Sequence, residues 1–434
     1  MTDARCAPVH KCTESRRSST KLRIALFSGN YHNVVDGPAR ALNRLVGWLI
    51  DQGHNVRIFA PTIDQPAIPP TGTVISVPSI AIPGRGEYRL AFGIDAKPNG
   101  VSNPPAGFRP TGTIRSQLDD FAPDIIHLTA PDRLGFSALD YAHVSSIPAV
   151  ASFHTRFDEY LRYYHIGFLQ PVMRTLMRSF YGRCEHVYVP SRSMAQNLRN
   201  QKIGRDIRFW ARGADHSQFS PTHRDIGWRR QNGIKDKDVA ILFVGRIVRE
   251  KGLDVFAQTI RRAHRVNPAI KALIVGQGPE RARFANLLPV NSIFTGYLGG
   301  NDLARAYASA DIFLNPSSTE TFGNVTLEAM ASGLPTVCAA ASGTVCLVQP
   351  GITGLTGAPT AKSLAPLVQH LAANASERKK MGTAARLASK SYDWEEIFAG
   401  LLADYHAAIL SYRDREKAPI AYRQSNNCDR SAVD

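Results

Sequence analysis

Two carboxylates, Glu320 and Glu328, bracket seven residues in the stretch ETFGNVTLEAMASGLPTV (320–337). The apolar run ADIFLNPS (310–317) ahead of it predicts a buried strand ending in a turn. Gly333 and Pro335 stop a short helix behind it, since Gly suits a left-handed C-terminal position and Pro cannot continue the ladder. Glu320 then falls in the loop and Glu328 about one turn into the helix. A strand–loop–helix junction gathers backbone N–H groups and the positive end of a helix dipole, which suits an anion. A phosphate-bearing ligand held there offers hydroxyls to both carboxylates. Arg246 directly follows another apolar run, VAILFVGR (239–246), and Lys251 comes five residues later, before Gly252 and a helical stretch. A guanidinium fork and an ammonium at a strand's carboxyl end suit a diphosphate. In open parallel sheets the ligand crevice lies at those ends.

Other chemistries fit poorly. GQGPER (276–281) lacks the third glycine of a dinucleotide fingerprint and places Pro279 where the helix should open. The first strand is followed by GNYHNVVDG, and no GxxxxGK[ST] phosphate loop occurs, so neither NAD, FAD nor a P-loop nucleotide is expected as a cofactor. Asp236-Lys237-Asp238 matches a metal-binding Asp-x-Asp string but lies in a charged turn; no metal is assigned. The six cysteines are scattered, without metal or disulfide spacing, which favours reduced thiols and a cytoplasmic setting. No apolar run approaches a spanning helix, and the N-terminus has no signal-peptide core. A net charge of +16 draws anions: nucleic acid, acidic membrane or phosphate-bearing substrate. No aromatic-basic motif supports nucleic acid.

The elements that position these residues alternate between strand and helix. Residues 1–20 read as a disordered lead-in. Strands are expected at 22–29, 56–61, 74–77, 124–131, 147–155, 186–191 and 207–215, with 62–112 otherwise a Pro-, Gly- and Thr-rich connection. The alternation restarts after a polar junction, with strands at 239–246, 270–278, 292–298, 310–317 and 336–340. This predicts an α/β protein of two doubly wound, Rossmann-like domains, 21–215 and 216–391, facing a cleft. An amphipathic helix over 392–412, expected to pack back on the first domain, follows, then a loose tail over 413–434.

FVGRIVREKG with PSSTETFGNVTLEAMASGLPTV resembles the donor site of the retaining glycosyltransferases of family 4, which have the GT-B architecture. The likeness spans about residues 22–412 and includes Asp36-Gly37, FHTRFDEY (153–160), VPS (189–191), RGAD (212–215) and GQGP. It is nearest to bacterial enzymes that mannosylate or otherwise glycosylate membrane lipids, and to sulfoquinovosyl-lipid synthases. The resemblance implies that Arg246 and Lys251 hold a donor diphosphate, helped by backbone N–H groups around Phe322, Gly323, Asn324 and Val325. Glu328 would accept from ribose hydroxyls and Glu320 from the transferred sugar. His154 would face that sugar across the cleft, and Gly37 would let the first-domain backbone approach the diphosphate. The family's usual Gly-Gly is here Gly37-Pro38, and GTV (343–345) lacks a second glycine often found near it. No carboxylate near His154 is an evident nucleophile, with Asp158 and Glu159 expected on the following helix. Front-face retention without a metal is therefore implied, with the donor a nucleotide sugar and no cofactor. GDP-mannose is the first donor to expect, UDP-sugars the alternative, and an epimerase on the same fold the rival reaction. The acceptor is a lipid or glycan bound on the first domain. The stretch 159–184, mixing aromatic, aliphatic and Arg residues, is either a surface for anionic membrane on the cytoplasmic face or ordinary helix packing.

Overall fold

The computed structural model describes residues 21–34, 36–82, 85–104, 112–154, 167–340 and 343–417. Asp158, Glu159 and the start of the 159–184 stretch lie outside them, as do 1–20 and 418–434. Two sheets organise the chain. The first comprises β1 (Arg23–Phe27), β2 (Asn55–Ala60), β3 (Thr73–Ser76), β6 (Gly100–Ser102), β7 (Ile125–Leu128), β8 (Ala149–Ser152), β9 (Val187–Val189) and β10 (Ile207–Phe209), with β4 (Ser79–Ile82) and β5 (Arg85–Ala91) forming a separate hairpin. Its order is β10-β9-β8-β7-β1-β2-β3-β6, parallel except where β6 meets β3. The second comprises β11 (Val239–Val244), β12 (Ile270–Val275), β13 (Ile293–Gly296), β14 (Ile312–Asn315), β15 (Thr336–Ala339) and β16 (Gly354–Gly357), ordered β13-β12-β11-β14-β15-β16 and parallel throughout.

Strands β1, β7, β8, β11 and β14 are almost continuously buried because helices cover both faces of each sheet. Right-handed crossovers run outward from β1 and from β11, so each sheet reverses direction beside its first strand: β1 between β2 and β7, β11 between β12 and β14. Those two switch points are where α/β sheets open a crevice.

One apolar cluster links the halves, running from Ile24, Leu45 and Tyr188 through Trp210 and Phe219 to Tyr307, Phe322 and Phe398. The last helix, Trp394–Lys417, returns to the first domain: Phe398 meets Trp48 at 5.9 Å, Tyr405 Oη lies 2.5 Å from His127 Nδ1, and Asp404 pairs with Arg208 at 2.5 Å.

Three expectations need correction. The helix continues to Lys417, past the expected end at 412, because Arg415 pairs with Glu185 and covers Tyr412. The connection 62–112 holds β4, β5 and β6 besides β3; its prolines and glycines hid a short edge strand, β6, and the separate hairpin β4–β5, where Pro and Gly are tolerated. β16 was also missed, having glycine at both ends. No helix among the described residues is long and apolar enough to cross a membrane.

Candidate active site

Because β11 and β14 are neighbours, the loops leaving their carboxyl ends lie side by side. Ser317 and Thr319 stitch them together, each donating its hydroxyl to the Glu250 carbonyl, at 3.2 and 3.0 Å. Lys251 closes the short 3₁₀ turn Arg249–Lys251 and places its Nζ 2.7 Å from Glu320 Oε1. The sequence offered these as two separate ligand contacts; the fold pairs them.

The helix expected after Glu320 is Asn324–Ala331, entered through Gly323 at φ +99°, a left-handed turn closed to most side chains. Asn315 at the end of β14 donates to Thr326 Oγ1 at 3.1 Å and so fixes the helix to its strand. Glu328 is half-buried and its Oε2 accepts from Tyr307 Oη at 2.8 Å. Burial pushes its carboxyl above the usual range, opposed by the Tyr307 hydrogen bond and by Arg40 and Arg44 of the first domain. The Phe322 ring is buried against Tyr392 at 5.8 Å, so its side chain is core and only its backbone faces the loop. The Val325 carbonyl accepts from Tyr307 Oη at 3.3 Å.

The first domain meets this loop with the start of its own first helix, Gly37–Asp51. Asp36 caps it, accepting from Ala39 N at 2.8 Å and from Asn30 Nδ2 at 3.1 Å. A Cβ at Gly37 would lie 2.5 Å from Asn324 Nδ2, so two helix N-termini converge and glycine is what lets them. Pro38 occupies the first turn, where an N–H has no intrahelical acceptor; its cost is one donor fewer for an anion. Nearby, Arg246 Nη1 donates to Tyr88 Oη at 2.9 Å, and Ser191 Oγ donates to the Thr321 carbonyl at 2.8 Å. Both bonds cross between domains.

His154 follows β8 by two residues and is buried. Arg212 Nη2 lies 2.6 Å from its Nδ1. A guanidinium only donates, so Nδ1 accepts and the ring proton sits on Nε2. Burial, then the charge of Arg212, then His127, hold its pKa well below the ordinary value, leaving a neutral imidazole. Nε2 is buried and has no hydrogen-bond partner among the described residues, so it is a donor in reserve. Arg212 is itself pushed down to about 9 by burial, with Asp36 opposing.

The fold gathers Glu320, Lys251, Phe322, Gly323, Asn324, Val325 and Glu328 in one loop–helix unit, with Arg246 beside it and Gly37 against it. His154 stands with Arg212 and Asp36 on the first-domain side. His127 bridges Tyr405 and Ser152 and serves packing. In the Asp-x-Asp string, Asp236 pairs with Arg230 at 2.7 Å and Asp238 accepts from Lys235 N at 2.9 Å, so both acids serve the turn itself. Tyr88, Tyr307 and the role of Arg212 went unread. Arg212 carried a signal, a lone cation inside the apolar-flanked WARGA; Tyr88, in a stretch taken for loop, carried none.

Two facing Rossmann-like domains with cations and helix ends at their switch points define the GT-B class. Residues 226–388 match Glycosyl transferases group 1 and residues 35–218 match Glycosyltransferase Family 4, and the chain belongs to these GT-B glycosyltransferases. The GDP-mannose-dependent alpha-mannosyltransferase of Corynebacterium glutamicum is 31% identical over 398 residues, 90% of this chain and 91% of that protein. Its counterpart in Mycolicibacterium smegmatis is also 31% identical, covering 89% of this chain and 98% of that one. Sulfoquinovosyl transferase SQD2 of Arabidopsis thaliana is 32% identical over 316 residues, 71% of this chain and 61% of its own. In fold, sucrose-phosphate synthase from Thermosynechococcus elongatus aligns with a TM-score of 0.71 at 21% identity, over 90% of this chain and 100% of that one.

Proposed function

We propose that this glycosyltransferase moves a hexose, mannose from GDP-mannose first, onto a lipid or glycan acceptor with retention at the anomeric carbon. The observation that carries the reading is the convergence of two helix N-termini beside Arg246 and the Lys251–Glu320 pair. In this scheme Arg246, Lys251 and the first-turn N–H groups hold the donor diphosphate and offset the charge that grows on it as the glycosidic bond breaks. They supply the positive charge that a divalent ion supplies in metal-dependent transferases. Glu320 accepts from the sugar, Glu328 from the ribose, and His154 Nε2–H donates to a sugar hydroxyl. The acceptor hydroxyl attacks from the face the diphosphate leaves, giving its proton to the departing phosphate oxygen. A covalent glycosyl-enzyme trapped on any carboxylate would overturn that step.

The likeness to the Corynebacterium and Mycolicibacterium enzymes over nearly the whole chain supports GDP-mannose. That to SQD2 favours a second reading, a UDP-sugar donor. Nucleotide release measured with GDP-mannose, UDP-glucose and related donors, with and without lipid extract, decides between them. GDP release that needs lipid is the expected result; free sugar or nucleotide without acceptor would point to an epimerase instead. A lipid acceptor is supported by the helix Gln170–Tyr181: it buries Met177, Phe180 and Tyr181, while Phe168, Val172 and Leu176 stay exposed on its outer side and in the turn before it. With a net charge of +16, such an outer face suits an anionic membrane. In liposome flotation the protein should rise with anionic vesicles, and Val172→Asp/Leu176→Asp should stay at the bottom.

A further inference from the structure

The hairpin β4–β5 has two unlike faces. Ser79, Arg89 and Ala91 turn inward, Arg89 donating to the hydroxyl and the carbonyl of Ser79 at 2.7 and 2.9 Å, and Ala91 buried. Ile80 and Leu90 are cross-strand partners and so share the other face. They are 54% and 49% exposed, and Ile82 at the end of β4 and Phe92 just past the end of β5 are 41% and 38% exposed. Tyr88, on the same strand where its register with β4 shifts, accepts from Arg246 in the opposite domain. The hairpin that carries this apolar pair therefore reaches the cation assigned to the donor diphosphate.

Its other end leads outward. β5 lies against the helix Arg133–Val144, where Ser137 Oγ accepts from Ile94 N at 3.1 Å. On the same helix Phe136 meets Phe180 at 5.0 Å, on the helix that exposes Val172 and Leu176. A continuous set of contacts thus joins the outer apolar helix, the hairpin and the cleft. We infer that the outer face of the hairpin is an acceptor subsite that takes the hydrocarbon chain of an amphiphilic acceptor and delivers its hydroxyl head beside Arg246. This rests on the lipid reading of the acceptor proposed above.

The test uses the full-length protein and a diacylglycerol carrying a diazirine on one acyl chain, irradiated in the presence of GDP and mapped by mass spectrometry. Label is expected in the peptide spanning residues 79–92. Ile80→Ser/Leu90→Ser changes only exposed side chains, so the fold and GDP binding persist, and it should cut that label about tenfold by removing apolar contact. Label confined to other segments, or unchanged in the variant, overturns the subsite. So does a concentration-dependent dimer in sedimentation that the variant abolishes while residues 79–92 stay unlabelled. Transfer of hexose to lipid without hairpin label overturns this inference alone; hairpin label with no transfer to lipid from any donor overturns the proposed function instead.

Discussion

Glu320 and Lys251 are 69 positions apart in the chain and 2.7 Å apart in the fold. Their pairing means that each keeps the other placed: Lys251 fixes the carboxylate, and the carboxylate aims the ammonium at the spot where two helix ends converge. In the proposed scheme, removing Lys251 takes away a preorganised cation and leaves Glu320 uncompensated beside the donor diphosphate. Lys251→Ala should lower kcat roughly 100- to 1,000-fold, the usual loss for one such group. Asp236→Ala, which removes only a solvent-exposed partner of Arg230, should leave kcat unchanged. Steady-state kinetics on the two variants checks this, and equal losses would move the site elsewhere. His154 makes a different prediction. Its Nδ1 is held by Arg212 and its Nε2–H has no partner among the described residues, so the proposed role is that of a neutral donor and not of a titrating acid or base. A glutamine amide can reach the position of Nε2–H, so His154→Gln should keep more activity than His154→Ala. In the unmodified enzyme the rate between pH 6 and 8 should show no step at the ordinary histidine value, because burial has moved this ring's titration well below it. A step near pH 6.5 that vanishes in His154→Gln would refute the assignment.

The strand–loop–helix unit at 312–331 was legible because its signals are local: an apolar run, a glycine turn, a short helical stretch and Gly333 past its end. The hairpin β4–β5 was not, although SIAI and RLAF carry apolar residues at every second place. Each strand spans four to seven residues, and Pro78, Pro83, Gly84, Gly86 and Gly93 punctuate them so closely that alternation has no room to register. The pairing of Lys251 with Glu320 was illegible for another reason. It depends on β11 lying beside β14 and not β13, a fact of sheet order that no window of sequence contains. Gly343 shows the same limit: read as an incomplete glycine pattern, it is a close-approach site. A Cβ there would lie 2.5 Å from Phe322 N and 2.7 Å from the Glu320 carbonyl. Gly343→Ala should therefore push the donor loop outward. We expect a donor KM raised about tenfold, at a stability cost of about 1–3 kcal/mol, the range for overpacking a tight contact. Isothermal titration with GDP beside a thermal melt separates the two effects; a wild-type nucleotide affinity would show that the loop position does not set donor binding.

Across the whole molecule, two domains of one plan were readable because buried parallel strands write themselves as continuous apolar runs, twice over. The return of the last helix to the first domain was readable too, but not the residues that hold it there. The last helix crosses back and sets Tyr405 against His127, a histidine buried at the centre of the first sheet. Burial, with the charge of Arg212 second, pushes His127 down to about 3, while the unfolded chain titrates near 6.5. Between those values the unfolded state binds a proton that the folded state refuses, so stability falls as pH falls from 6.5 toward 3. The slope from this one residue reaches about 1.4 kcal/mol per pH unit. His154 and His186, also depressed by burial, act in the same direction. Asp36 and Glu328, whose carboxyls burial raises, act in the opposite one, taking up protons earlier in the folded state. The window from pH 6.5 to 5 contains the histidine contribution, which the raised carboxyls of Asp36 and Glu328 offset in part, so comparison with a His127 variant isolates it. Urea midpoints should drop steadily across it. His127→Gln loses hydrogen bonds to Tyr405 and Ser152 and starts less stable at pH 7, but its midpoint should fall less steeply toward pH 5. Parallel curves for the two proteins would mean that His127 takes up its proton in the folded state and that the seam between the last helix and the first sheet is wetter than its packing implies.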